Sequence, residues 1–196
     1  MFGLPENSVV GKQLPKTAIF AKFAMNTAER ERFDADISRI AIANVVDTCH
    51  LAEGKDIKSI YVFTVQLKHK DYDPKNIATL AKLIEQKIVF VLMFEDETQL
   101  ATYCTRLITS QWQATDDVKV PLAGLNLDSV WENIVAAIGG ITIVGSNSIS
   151  EQIAEDDAYT KLMKQIEQLE KKARAEKQPR KKLELFEKLK ELKKKI

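Results

Sequence analysis

A chain of 196 residues with 45% apolar and 29% charged side chains has room for one domain of ordinary size plus an appendage. The opening Met1-Phe2-Gly3-Leu4-Pro5-Glu6 lacks the charged start and apolar run of a signal peptide, and Ile88 to Phe94, the longest apolar run, falls far short of the roughly 20 residues needed to span a bilayer. Two cysteines, Cys49 and Cys104, make no disulfide framework, so the expectation is a cytoplasmic protein with no membrane association.

The net charge of +1 is unevenly spread. From Thr160 onward there are 14 Lys/Arg against six Asp/Glu, about +8, whereas the preceding body holds 15 against 22, about −7. That asymmetry points the tail toward something acidic: nucleic acid, another protein or the body itself.

In chain order, Pro5, Gly11 and Pro15 break up the segment before Lys16 into turns. Asn26, or else Thr27, caps a helix with Glu29 completing a capping box, and Phe33, Ile37 and Ile40 follow at helical spacing. The β-branched run Ile40–Val46 then hands over to a strand or continues the helix, and Gly54-Lys55-Asp56 is a turn. Ser59–Lys68 alternates with apolar residues on both faces, and Ile88–Phe94 is a continuous apolar run closed by Glu95-Asp96-Glu97, so both are strands. Between them Asp73-Pro74 is an N-cap with proline at the first helical position, and Ile77, Leu80, Ala81 and Ile84 share a face. The default for this strand–helix–strand unit is a parallel right-handed crossover. A strand over Leu100–Gln113, a short one at Val118–Val120, and a helix over Ser129–Ile138 ended by Gly139-Gly140 complete the body. Val144–Ser150 is the candidate linker.

Beyond it, Tyr159, Leu162, Ile166, Leu169 and Ala173 recur at 3, 4, 3, 4 spacing, the rhythm of a helical seam. Gln178-Pro179 interrupts this, and Leu185, Leu189, Leu192 and Ile196 resume it, so two helices are predicted, as a hairpin or with a strong kink. The fold class expected is α+β or α/β: a mixed sheet of about five strands with packed helices over residues 1–145, then a coiled-coil-like helical pair over 151–196 broken near Pro179.

Chemical motifs are mostly excluded. The chain holds no Gly-rich loop followed by Lys-Ser/Thr, no Gly-x-Gly-x-x-Gly and no Gly-x-Ser-x-Gly elbow. Cys49-His50, His69 and Cys104 lack metal-ligand spacing; the pair at 49–50 would diverge in a strand, and core packing or a partly buried edge is expected for the cysteines. No metal, cofactor or catalytic residue is therefore assigned. A restriction-type nuclease would need a carboxylate and then acidic-x-Lys on the next strand to hold a divalent metal. Here the strand offers Gln66-Leu67-Lys68, with glutamine where the carboxylate belongs, and Asp34, Asp36 and Asp47 read as solvated surface charges.

The strongest functional feature is the basic cluster Lys171, Lys172, Arg174, Lys177, Arg180, Lys181 and Lys182. It could neutralise phosphates in a salt-sensitive, sequence-blind manner. Glu167, Glu170, Glu176, Glu184, Glu187 and Glu191 are interleaved, however, and only Phe186 is available for stacking, which favours a solvated or partner-facing helix. The seam residues Tyr159, Leu162, Ile166, Leu169, Leu185, Leu189 and Leu192 are the expected binding stripe.

The succession of Leu14-Pro15-Lys16, Phe33-Asp34-Ala35-Asp36-Ile37-Ser38-Arg39-Ile40, the strand Ile60–Lys68, Ile88–Leu92, Trp112, Leu122-Ala123-Gly124-Leu125-Asn126-Leu127-Asp128-Ser129-Val130-Trp131 and the tail Glu176-Lys177-Gln178-Pro179 resembles an uncharacterised bacterial domain-of-unknown-function family. Members of that family are encoded beside helicases and DNA methyltransferases of restriction or phage-defence islands. The resemblance spans nearly the whole chain. It implies an accessory role in restriction-modification or phage defence, with a larger helicase or methyltransferase subunit as partner, and no catalytic residue to carry over. Many relatives place an acidic residue just before the strand at Ile60 where this chain has Lys58-Ser59, which weakens any carboxylate-based activity. The expectation is a non-catalytic accessory protein acting through protein–protein contacts of its tail, with self-association through the tail possible. The alternatives are sequence-non-specific nucleic-acid binding by the tail, or a divergent nuclease.

Overall fold

A computed structural model describes residues 2–141, 149–175 and 179–193. The chain divides into two compact units, Met1–Gly145 and Ser146–Ile196. In the first, a 3-10 turn at Glu6–Ser8 leads into strand β1 (Val9–Gln13), helices α1 (Lys16–Lys22) and α2 (Thr27–Asp36), and strands β2 (Ile37–Asp47) and β3 (Ser59–Leu67). Helix α3 (Pro74–Ala81), strands β4 (Lys87–Phe94), β5 (Glu97–Tyr103), β6 (Leu107–Thr109) and β7 (Gln113–Ala114), and helix α4 (Leu127–Gly139) follow. The second unit contains helices α5 (Ile149–Ala175) and α6 (Pro179–Lys193).

The sheet is mixed, with seven strands in the order β1-β2-β3-β4-β5-β6 and β7 also paired to β5. Every pairing is antiparallel except β3 with β4, which run parallel around the α3 crossover, as the strand–helix–strand reading predicts. Two sets of apolar residues alternate through the central strands. Phe63, Val65, Phe90 and Leu92 join Phe20, Phe33, Ile77 and Leu80 beneath α1, α2 and α3, where Phe20 meets Phe33 and Phe63 meets Phe90 edge to face. Ile60, Val62, Val89 and Val91 point to the other face, where α4 packs on β3, β5 and β6 through Leu127, Trp131, Ile134 and Ile138. Burial on both faces explains why β3 and β4 read as nearly unbroken apolar runs.

Local capping is as the residues dictate. Asn26 and Glu29 form a reciprocal capping box, Asp73 caps α3 with Pro74 at its first position, and Asn126 caps α4 through the Ser129 amide. Gly140, at φ +61°, ends α4 in the left-handed conformation that glycine adopts without a Cβ penalty.

Four expectations are corrected. The sheet has seven strands rather than about five, because β1 forms from the turn-rich start and β7 pairs after β6. Helix α1 was not expected; Ile19 and Phe20 bury its inner face after Pro15. Leu100–Gln113 is not one strand: Cys104-Thr105-Arg106 turns the chain back, so Tyr103 pairs with Leu107, and Glu97 opens β5 instead of ending a strand. Val118 and Val120 are buried, but outside the ladder; the Val120 amide donates to the Phe2 carbonyl. The candidate linker at 144–150 lies mostly outside the described residues. No helix among the described residues is long and apolar enough to cross a membrane.

Candidate functional site

Of the basic tail cluster, Lys171, Lys172 and Arg174 fall on α5 and Arg180, Lys181 and Lys182 on α6, and the two helices touch one another. Pro179 is the first residue of α6, where a missing amide hydrogen costs nothing. Lys171, Lys172, Arg174 and Lys181 are exposed. Lys171 Nζ lies 2.7 Å from Glu167 Oε1, and Arg174 Nη2 lies 3.9 Å from Glu170 Oε2, each one helical turn away. The hydrogen bond from Lys171 holds the Glu167 carboxyl below its ordinary range. Part of the positive field of the cluster is thus cancelled on its own helix. Lys177 lies outside the described residues, as do the side chains of Arg180, Lys182 and Tyr159.

Along the seam, Ile166, Ala173 and Leu189 are buried, while Leu162, Leu169, Leu185 and Leu192 are half-buried. Among the described residues two large apolar side chains remain outside it: Met163 is 43% exposed and Phe186 49% exposed. These stand beside lysines and glutamates on the surface of the helical unit.

A second polar centre sits where α2 enters β2 beside the end of β3. Asp36, expected among solvated surface charges, is only 7% exposed, which corrects that expectation. Its Oδ2 accepts the Asp73 amide and the Asn76 side-chain amide, each at 2.7 Å, and its Oδ1 lies 3.3 Å from His69 Nε2. The Asp36 carbonyl accepts the Lys68 amide at 2.8 Å. One residue therefore clamps the start of β2, the end of β3 and the N-terminus of α3, through its carbonyl and its carboxylate together. Beside it Lys16 Nζ reaches Asp34 Oδ1 at 2.6 Å, and Lys68 Nζ donates to the Asp34 carbonyl.

This centre bears on the nuclease alternative. Strand adjacency is what such a site requires, since Ile37 at the start of β2 pairs with Leu67 near the end of β3. The donor set does not meet the requirement. Asp36 is committed to α3, the Lys68 amine to a backbone carbonyl, and Gln66 carries no charge with which to hold a metal. Among the described residues no group of three or more His, Cys, Asp and Glu side chains converges as metal ligands do.

At the opposite end of β2, Asp47 accepts the Cys49 amide at 3.0 Å and lies 2.9 Å from His50 Nδ1. The Cys49 amide, then His50, holds its carboxyl below the ordinary value. Cys49 and His50 occupy a turn, and Cys49 is exposed rather than packed in the core or on a partly buried edge. Cys104 is half-buried, and burial pushes its thiol up. The His50 side chain is 8% exposed, and its Nε2 is buried without a hydrogen-bond partner among the described residues.

Open grooves mark the first unit, two of them larger than 300 Å³. One, of about 380 Å³, lies on the sheet face left uncovered around Arg39, Ala41, Ala43, Thr64, Gln66 and Met93. The other, of about 340 Å³, runs between the α1–α2 turn and α3. Neither was legible in sequence, because the residues lining each are distant along the chain.

The family model described as "Domain of unknown function (DUF4391)" matches residues 2–196. The chain belongs to this family. No curated protein and no solved structure matches the chain. The DUF4391 match spans both units and carries no activity with it, so function has to be argued from the side chains.

Proposed function

We propose that this DUF4391 chain is a non-catalytic accessory protein that assembles with a partner through the surface of its C-terminal helices. The observation that carries the reading is the pairing of exposed Met163 and Phe186 with a basic cluster partly neutralised by Glu167 and Glu170. Exposed large apolar groups rimmed by mixed charge suit a protein partner, because burying them releases water while the rim sets register. A polyanion would instead be served by unpaired cations. The setting, a DNA-processing or phage-defence assembly with a helicase or methyltransferase subunit, rests on the resemblance drawn from the sequence. A coiled-coil-like pairing of the two helices belongs to the same proposal and rests on the 3–4 spacing of the seam.

The test uses the full-length chain carrying Met163→Glu and Phe186→Glu. Tagged wild type captured from its host after nuclease treatment should retain a stoichiometric partner, or elute by size exclusion with light scattering as an oligomer. The double variant should lose either one. Retention of the same partner and the same mass by the double variant, or by a chain ending before Glu151, rejects the proposal.

A second reading has its own observation: Lys172 and Lys181 are exposed with no carboxylate partner among the described residues. Sequence-blind nucleic-acid binding through them predicts affinity that falls steeply with salt. Neutralising Lys171, Lys172, Arg174, Lys177, Arg180, Lys181 and Lys182 together should abolish it.

A further inference from the structure

The charged residues in and around the groove between α1–α2 and α3 fall into two sets. One set builds the walls. Lys22 Nζ donates to the Leu83 carbonyl and ties the end of α1 to the end of α3. Arg30 Nε donates to the Met25 carbonyl at 2.8 Å while its guanidinium sits 5.8 Å from the Phe20 ring centroid. The two carboxylates at the groove are also committed: Glu29 accepts the Asn26 amide at 2.8 Å, and Asp73 accepts the Lys75 amide at 2.9 Å.

The other set has no such task. Arg32, Lys75 and Lys82 line the groove, are exposed, and pair with no carboxylate among the described residues; Arg32 spends only its Nε, on the Ala28 carbonyl. Phe23, half-buried, and Met25, buried and preceded by Ala24 at the left-handed φ of +47°, also line the groove. Asn76 and Thr79 line it too, the Asn76 side-chain amide donating to Asp36 and the Thr79 hydroxyl to the Lys75 carbonyl. Three cations outweigh the two committed carboxylates, and an aromatic ring and a thioether share the groove with them.

From this arrangement we infer that the groove binds one nucleotide unit, its phosphate toward Arg32, Lys75 and Lys82 and its base against Phe23 and Met25. A volume of about 340 Å³ lies within the range of small-ligand clefts and is of the size that a mononucleotide fills. Cations fix the phosphate, and an aromatic face accepts any base, so the site is indifferent to sequence. A free mononucleotide and one unit of a single strand present the same chemistry. The inference does not depend on the role of the helical tail.

The experiment is an amide-shift NMR titration of the full-length protein with AMP, ribose 5-phosphate and a short single-stranded oligothymidylate, each at low salt. The expected result is saturable shifts at Phe23, Met25, Lys75, Asn76 and Thr79. Binding should weaken about tenfold or more in the Arg32→Ala, Lys75→Ala double variant, whose exposed substitutions leave the core intact. Saturation by AMP assigns a free nucleotide, and saturation by the strand alone assigns a backbone unit. Phe23→Leu should reduce the preference for AMP over ribose 5-phosphate while leaving the latter unchanged. Shifts confined to α5 and α6, or unchanged affinity in the double variant, overturn the inference, and so does the lack of saturation by any of the three probes.

Discussion

A β-carbon built on Gly54 would lie 2.3 Å from Asp128 Oδ1 and 2.9 Å from the Asp128 amide nitrogen. The two residues are 74 positions apart, yet the turn after Gly54 folds around that carboxylate. The amides of Lys55 and Ile57 donate to it at 2.5 and 2.9 Å, and the Asp56 amide approaches at 3.3 Å. Nearby the Leu127 amide donates to the Ala52 carbonyl, so the first turn of α4 is fastened to the loop between β2 and β3. A carboxylate in the first turn of α4 also complements the helix dipole.

Gly54→Ala and Asp128→Ala are therefore each expected to lower stability by about 1–3 kcal/mol, the first by steric conflict and the second by leaving loop amides unsatisfied. The two should not add. With the carboxylate gone, the alanine methyl meets less, so the double variant costs less than the sum of the singles. Urea unfolding of the four proteins measures this, and strict additivity contradicts it.

Asp36 is a structural carboxylate, so Asp36→Ala should cost about 2–3 kcal/mol by stranding the Asp73 amide and the Asn76 side chain. Asn76→Ala should cost less, because Asp36 keeps the Asp73 amide. Were this centre catalytic, Asp36→Ala would instead abolish metal-dependent DNA cleavage and leave the unfolding midpoint in place. Parallel thermal and cleavage assays separate these outcomes.

Asp47 has a depressed carboxyl pKa against an ordinary value of 3.8. Between the two values the unfolded chain holds the extra proton, so stability rises with pH there. The contribution is fully present above about pH 3.8 and is lost as the pH falls through the lower, folded value. Asp47→Asn should flatten that part of the stability curve and leave the neutral-pH branch parallel to wild type. A urea-midpoint series across the acidic range reads the difference, and an unchanged acid slope refutes the assignment.

Ala24 closes α1 with φ +47°, and the Met25 amide reaches back to the Phe20 carbonyl, a helix ending at which glycine is the usual residue. Relieving the left-handed strain should outweigh the added freedom of the unfolded chain. Ala24→Gly is expected to stabilise by about 0.5–1 kcal/mol, seen as a higher Tm. A lower Tm would mean that the alanine methyl makes packing contacts worth more than the strain.

Much of the first unit is legible locally. Asn26 with Glu29 and Asp73 with Pro74 announce their helices because a cap is satisfied within three residues. The alternation in Ser59–Lys68 and the run at Ile88–Phe94 announce β3 and β4 because burial on both faces demands it. The hairpin between β5 and β6 carries no such signal, since Cys104-Thr105-Arg106 contains none of the residues that mark turns. β1 carries none either, because its residues are all exposed, Val9 by 65%, and it is held by pairing with β2 rather than by an apolar pattern.

By itself, then, the sequence determined the elements whose causes lie within a few residues: the caps, the β3–α3–β4 crossover and the charge asymmetry of the tail. Tertiary structure alone decided which charges are structural and which are free. Asp36 and Asp128 look in sequence like any other surface aspartates, and only folding brings distant amides to them. In the same way Arg32, Lys75 and Lys82 become one site only when α2 and α3 flank a common groove. Gly54 began as a mere turn residue; the approach of Asp128 from across the chain is what makes it obligatory.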